Sequence, residues 1–408
     1  MNASISQIER PAQAGSEPAK KQMPAVLQQL QFGSRIDDDG IKALLLAAAE
    51  ANASDIVVKS NTYALVKVHG VYYPVAKRLE RSEVEAVLNF VFRGTSGYVK
   101  VQSGEPVDGS LDLQARNGDK VRFRFNGTGC AVQSGDGLDI TIRIINAQPP
   151  SVADLKLEQE IIDNIIPDDG LVMVSGPTGS GKSTLLAAGI RHGLEDPKRH
   201  LRFLTFEDPI EYVYYGVKSA TSHITQTEVS RFIKGGFPAA GRNYVRRAPN
   251  VILFGEARDR ETMDGAMEGA NTGHAVITTV HSQGVPETIK RVADLYQGED
   301  KSTKMMELLD CLRMVVSQQL VPRLQGGRVS IREYMVFDAE LRERLSWIED
   351  PNRLVAEIRS ELKKRGTTMY AHAQRLHAAG EIADLCLEKF RRRESGHERI
   401  NLENNHVA

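Results

Sequence analysis

Eight consecutive residues carry the strongest chemical signal in the chain: GPTGSGKS, positions 176–183. They fit the spacing G-x-x-x-x-G-K-[ST] without a mismatch. Gly176, Gly179 and Gly181 let the backbone curl until successive N–H groups point inward, an arrangement that suits phosphate oxygens. The apolar run LVMVSG precedes them and the helical stretch TLLAAGIRHGL follows, so the start of a helix adds its partial positive charge. On this reading Pro177, Thr178, Ser180 and Thr184 line the loop. Lys182 reaches the β- and γ-phosphates, and the Ser183 hydroxyl ligates magnesium. The bland alternative, a glycine-rich turn that matches by chance, has to produce the flanking strand and helix by chance as well. The residues describe a nucleotide site.

Such a site needs carboxylates, and VILFGEARD (251–259) raises a question about them. Nucleotide-hydrolysing strands often end in a carboxylate pair with an aspartate that manages the metal; here Gly255 stands where that aspartate would be. Three apolar runs end in reactive side chains: HLRFLTF in Glu207-Asp208, VILFG in Glu256, and AVITTV in His281. Glu256 is the candidate base or water-orienting group for attack on the γ-phosphate, and Glu207 the candidate for holding magnesium through its waters. His274 and His281 flank one strand seven residues apart. At a rise of ~3.3 Å per residue they lie roughly 23 Å apart. Only His281 falls at the carboxyl end, which makes it the candidate sensor of the γ-phosphate. Any one of these side chains alone reads better as a solvent-facing strand end.

The elements that must position these residues form two textures. From about residue 157, near-continuous apolar runs alternate with helical stretches, which predicts a parallel α/β sheet buried on both faces. In a parallel sheet, ligands gather at the carboxyl ends of the strands. Before that point the chain predicts a helix over 37–52, strands in IVVKS and ALVKVHGVYYPVA with a turn at Gly70, and a helix in RSEVEAVLNFVFR. DGSLDLQA, KVRFRFNG and LDITIRII then read as an antiparallel set. This is a smaller α+β module. The expected division is a disordered leader at 1–35, the α+β domain at 36–146, and a Pro-containing linker at 147–156. An ATPase domain at 157–345, C-terminal helices at 346–395 and a tail at 396–408 complete it.

Bulk properties narrow the class. The 408 residues carry a net charge of −1 and no run of ~18 apolar residues, so neither a membrane span nor a global attraction to nucleic acid is suggested. Cys130, Cys311 and Cys386 are too far apart for a CxxC pair, and a reducing cytoplasm is the simplest home.

FLTFEDPIEYV (203–213), RRAPNVILFGEARDRET (246–262) and TGHAVITTVHS (272–282) resemble the acidic box, the second nucleotide motif and the histidine box of secretion-superfamily ATPases, the PilT and GspE group. The resemblance covers roughly residues 40 to 345. It implies that Gly255 is a family trait, with Glu207 supplying the missing carboxylate. FPAAGRNYVRRAPNVILFGEARDRET and TTVHSQGVPETIKRV are similar to the DotB and TraJ branch of type IVB secretion and IncI-type conjugation. The chain lacks the cysteine quartet of assembly-type members.

The resemblance further implies a RecA-like P-loop domain behind a PAS-like domain whose arginines reach ATP at a ring interface. KVRFRFN resembles the stretch that supplies one, Arg124, and Arg143 in TIRII resembles a second. Without the resemblance, Arg122 and Arg124 simply alternate with Phe123 and Phe125, as on any strand with one wet face. Val57 stands where the family has a histidine. The resemblance implies a homo-hexameric, magnesium-dependent ATP hydrolase in the cytoplasm, docked at the inner membrane on secretion or conjugation components, with no direct nucleic-acid binding. The rivals to that reading are a type IV pilus retraction motor, a nucleic-acid translocase and a non-hydrolysing scaffold. Arg391 to Arg393 read as a solvated helix end.

Overall fold

Six strands follow the apolar alternation of the N-terminal part: β1 (Ala53–Lys59), β2 (Thr62–Val68), β3 (Val71–Leu79), β4 (Val107–Gln114), β5 (Lys120–Val132) and β6 (Gly135–Ile145). They form one antiparallel sheet in the order β3-β2-β1-β6-β5-β4, with the first and last strands side by side at its centre. Helices Asp38–Glu50, Arg81–Phe92 and Ser96–Gln102 pack on it. Inward residues such as Ile56, Val66, Phe123, Phe125 and Ile140 meet Leu44, Leu45, Val87 and Leu88 of the helices in one apolar core. Asp37 caps the first of these helices by accepting from the Gly40 N–H at 2.9 Å. The structure is a computed structural model that describes residues 23–405 apart from positions 69, 116, 117, 119, 134, 146, 147, 299 and 349. The chain divides into two units after Ile145.

The second unit holds β7 (Gly170–Ser175), β8 (Arg202–Glu207), β9 (His223–Glu228), β10 (Val251–Phe254), β11 (Ala275–Val280), β12 (Leu312–Pro322) and β13 (Arg328–Val336). Their order is β13-β12-β7-β11-β10-β8-β9. Every neighbouring pair is parallel except β12 with β13. β7, β10 and β11 are buried along their whole length, because separate apolar clusters cover the two faces of the sheet. β9, β12 and β13 were not among the expected strands. In β12 the polar run Ser317-Gln318-Gln319 is buried and interrupts the apolar pattern that reveals its neighbours.

Three segments differ from expectation. The leader expected at 1–35 is too long at its C-terminal end: Ala25–Gln28 is helical, and Leu27 is buried in the first core with Val26, Leu30 and Phe32 against it. The apolar residues of MPAVLQQLQF supply that face; residues 1–22 lie outside the described residues. The tail expected at 396–408 is helical through its first ten positions, since the last helix runs Asp384–Asn405. The linker is fastened to the second unit. Pro149 O accepts from Arg191 at 2.8 Å, Lys156 O accepts from Arg332 at 2.8 Å, and Glu158 pairs with Arg332 at 2.8 Å.

His372 belongs to this last cluster. Its Nδ1 accepts from the Arg332 N–H at 3.0 Å, so the ring is held neutral. It is 7% exposed. Burial pushes its pKa down to about 4, with nearby Glu158 acting upward and Arg332 and Arg375 downward. Between pH 6.5 and 4 the unfolded chain therefore holds the extra proton, and stability falls as pH is lowered through that window. The cost reaches about 3 kcal/mol at its acid end. His372→Gln should show a shallower loss of stability than the parent between about pH 6.5 and 4.5 in denaturant titrations; identical slopes would contradict this assignment.

Candidate active site

The parallel register sets the site. Ser175, the last residue of β7, lies opposite Val280 of β11 on one side and Ser317 of β12 on the other. The chain then turns through the glycine loop into helix Lys182–Glu195. Gly176, Gly179 and Gly181 take φ of +151°, +74° and +85°, a region that L side chains avoid. Space is equally restrictive at two of them. A Cβ at Gly176 would lie 2.3 Å from Gln318 O, and one at Gly181 would lie 2.8 Å from Gln318 Nε2. Gln318 Nε2 donates to Ser180 O at 2.8 Å, bracing the loop from β12. The Ser180 hydroxyl is buried without a hydrogen-bond partner among the described residues.

Lys182 is folded back into this cradle. Its Nζ donates to Gly176 O at 2.9 Å and to Pro177 O at 3.2 Å, and the residue is 8% exposed. Burial lowers its pKa, while the charges of Glu256 and Glu211 act in the opposite sense. Two carboxylates thus act on the ammonium, Glu256 from just beyond β10 and Glu211 from the segment after β8.

Glu256 follows β10 at its carboxyl end and is gripped at one oxygen. Arg258 Nε lies 2.7 Å and His281 Nε2 3.1 Å from Glu256 Oε1. The Glu256 contact raises the pKa of Arg258. Thr279 donates to Gly255 O at 2.7 Å, and the Ala257 N–H reaches Thr279 O at 3.0 Å, so β11 fixes the backbone on both sides of Glu256. Glu207 ends β8; its Oε1 accepts from Thr205 at 2.6 Å and from Gln226 at 3.2 Å. Gln226 also donates to Tyr212 O at 2.8 Å, and the Tyr212 hydroxyl lies 3.0 Å from the Thr184 hydroxyl in the helix after the glycine loop. Glu207 is tied to that helix through two side chains.

Gly255 has a local reason. Its N–H donates to Phe206 O at 2.7 Å, and a Cβ there would lie 3.2 Å from Glu207 Cα. An aspartate at 255 would press on the backbone that aims Glu207.

Lys182 at the start of its helix and the strand-end residues Glu207, Glu256 and His281 thus occupy one rim of the sheet. Ser183 and Thr184 stand in the first turn of the helix that leaves it. His274 is at the opposite end of β11, its ring 5.7 Å from that of Tyr244. Arg124 and Arg143 lie in the first unit as cross-strand partners on β5 and β6, and Arg143 pairs with Asp55 at 2.9 Å. Arg258, Glu211, Tyr212, Gln226 and Gln318 were not singled out by sequence reasoning. Glu211, Tyr212 and Arg258 lie inside the quoted acidic and GEARD stretches, where their types were visible. Gln318 gave no signal, because its strand was not legible.

Residues 35–345 match the family model described as type II/IV secretion system protein. The chain belongs to this family. The type IV pilus retraction ATPase PilT of Pseudomonas aeruginosa is 32% identical over 303 residues, covering 74% of this chain and 84% of that protein. Among solved structures, the Legionella pneumophila ATPase DotB superposes with a TM-score of 0.77 at 33% identity, covering 88% of this chain and 96% of DotB. The pilus retraction motor PilT with bound ADP gives 0.73 at 26% identity, covering 85% and 95%. The protein is therefore a nucleotide-binding secretion or pilus ATPase of the PilT and DotB kind, with the α/β parallel-sheet fold and helical C-terminal region of those structures.

Gly255→Asp, which restores the usual carboxylate pair, should destabilise the second unit by ~1–3 kcal/mol through overpacking against Glu207. Gly255→Ala should cost less. Denaturant midpoints of the three proteins check this, and an aspartate variant as stable as the parent would contradict the steric account.

Proposed function

We propose that this chain is a magnesium-dependent ATP hydrolase working as a homo-hexamer in the cytoplasm. It drives a type IVB secretion or conjugal-transfer apparatus at the inner membrane. The observation that carries the catalytic half is Glu256, held by Arg258 and His281 at a strand end and electrically coupled to the phosphate-loop Lys182. Likeness to DotB supports the secretion half. Among the described residues no helix is long and apolar enough to cross a membrane.

In this reading Lys182 exchanges its two carbonyl partners for phosphate oxygens, and the N–H groups of residues 178–184 surround the triphosphate. Glu256 orients the attacking water and takes its proton. His281 reports the γ-phosphate to Glu256 through the contact they share. Ser183 and Glu207 form an all-oxygen donor pair of the kind magnesium accepts, and they would hold it. Magnesium when bound neutralises charge on the phosphate oxygens. Arg124 and Arg143 add cationic charge near the nucleotide in the ring. No direct contact with nucleic acid is involved.

A second reading, retraction of a type IV pilus, is favoured by the pilus ATPases PilT and PilU of Pseudomonas aeruginosa among the relatives, 32% and 30% identical. The chemistry is the same and the docking partner differs. Capture of membrane partners on a Glu256→Gln protein separates the two: transfer-channel components favour the first, pilus components the second.

Glu256→Gln should lower steady-state ATP hydrolysis ~100-fold or more and leave ATP affinity within about threefold of the parent, since Lys182 and the loop are untouched. Phosphate release and equilibrium binding measure the two quantities. Turnover close to that of the parent would remove Glu256 from its proposed role.

A further inference from the structure

One buried side chain joins the phosphate loop to the histidine loop. Thr288 is on helix Val285–Ala293, which begins four residues after His281, and it is 0% exposed. Its hydroxyl lies 2.7 Å from the hydroxyl of Ser175, 2.6 Å from that of Ser282 and 2.6 Å from Gly284 O. Ser175 immediately precedes Gly176 of the phosphate loop, and Ser282 immediately follows His281. One hydroxyl proton cannot serve three partners. The Thr288 hydroxyl is the donor toward both Ser175 Oγ and Gly284 O, which share its one proton, and Ser282 is then left to donate to a lone pair of Thr288. This one oxygen thus bridges Ser175, before the phosphate loop, and Ser282, after His281.

β12 repeats the connection with consecutive residues pointing to opposite faces. Ser317 Oγ accepts from the Gly284 N–H at 2.8 Å, and Gln318 braces Ser180 O. From the outer side Glu333 of β13 accepts from the Val285 N–H at 2.7 Å and from the Met369 N–H at 3.4 Å. One carboxylate thus stands at the first residues of two helices, whose N–H groups offset part of the burial that raises its pKa. Arg393, in the segment expected to be a solvated helix end, instead donates to Gln283 O. The histidine loop is consequently held from the nucleotide side by Thr288 and from the C-terminal helices by Glu333 and Arg393.

We infer that Thr288 is a positioning residue for hydrolysis, fixing His281, and through it Glu256, relative to the phosphate loop. This rests on the ATP hydrolase reading. The hydrogen bonds of Thr288 go to Ser175, Ser282 and Gly284 and to none of residues 176–183, so its removal acts on turnover rather than on binding. A valine keeps nearly the same volume and replaces the hydroxyl by a methyl.

The test uses the full chain as purified, with ATP and magnesium. Thr288→Val should lower kcat ~10-fold or more, in line with the sensitivity of hydrolysis to small misplacements, while ATP affinity stays within about threefold. Thr288→Ser, which retains the hydroxyl, should return kcat to within about threefold of the parent. Ser282→Ala, on the half-buried loop, severs the same connection without altering the core and should lower kcat in the same direction. It stands in for the valine variant should that protein not fold. Parent-like kcat in Thr288→Val, or in Ser282→Ala where the valine protein does not fold, would overturn the inference. So would a loss shared equally by kcat and ATP affinity, or a failure of serine to rescue. Absence of hydrolysis by the parent would instead remove the ATP hydrolase reading, and this inference with it.

Discussion

Val280, Ser175 and Ser317 form a single row across β11, β7 and β12, and the chemistry of the second unit is arranged around that row. The chain leaves Ser175 into the glycine loop, leaves Val280 into His281, and passes from Ser317 to Gln318, whose side chain and carbonyl shape the loop. A slip of one residue in any of these pairings would turn each functional side chain to the other face of the sheet. Burial of both faces prevents such a slip, because β7 and β11 have no exposed residue to tolerate it. Packing of apolar strands is thus what gives the polar rim its geometry.

The charges on that rim are held close but not neutralised pair by pair. Lys182 is satisfied by two backbone carbonyls rather than by a carboxylate, while Glu256 and Glu211 act on it at longer range. Glu256 is restrained by Arg258 and His281 at the same oxygen. Carbonyl partners hold an ammonium less firmly than phosphates do, so on the proposed reading a triphosphate can replace them. The arrangement makes physical sense of a carboxylate placed near a phosphate site: positive groups on either side offset the repulsion between Glu256 and the incoming anion.

How much of this was legible in the sequence depended on the physics of each segment. The glycine loop, Glu207, Glu256 and His281 were readable because near-continuous apolar runs ended at each of them, and a buried parallel strand has few other ways to be written. β9 was not, since HITQTE is an edge strand of half-buried polar residues. β12 was not, because buried Ser317, Gln318 and Gln319 replace apolar residues, and Ser317 and Gln318 find backbone partners there. Gln318 was lost along with its strand. The start of the first unit was misjudged since Leu27 and its neighbours resemble a polar leader until a core exists for them to enter. Arg393 read as solvated because its partner, a loop carbonyl at residue 283, is 110 positions away in the chain.

Our proposal that Lys182 and its glycine loop bind a triphosphate underlies every role assigned to the rim. Equilibrium binding of ATP with magnesium to the full chain and to Lys182→Ala tests this most directly. Saturable binding by the parent is predicted, with affinity at least ~100-fold weaker in the variant, the loss expected when a charged partner of a phosphate is removed. Equal affinity in the two proteins would contradict it.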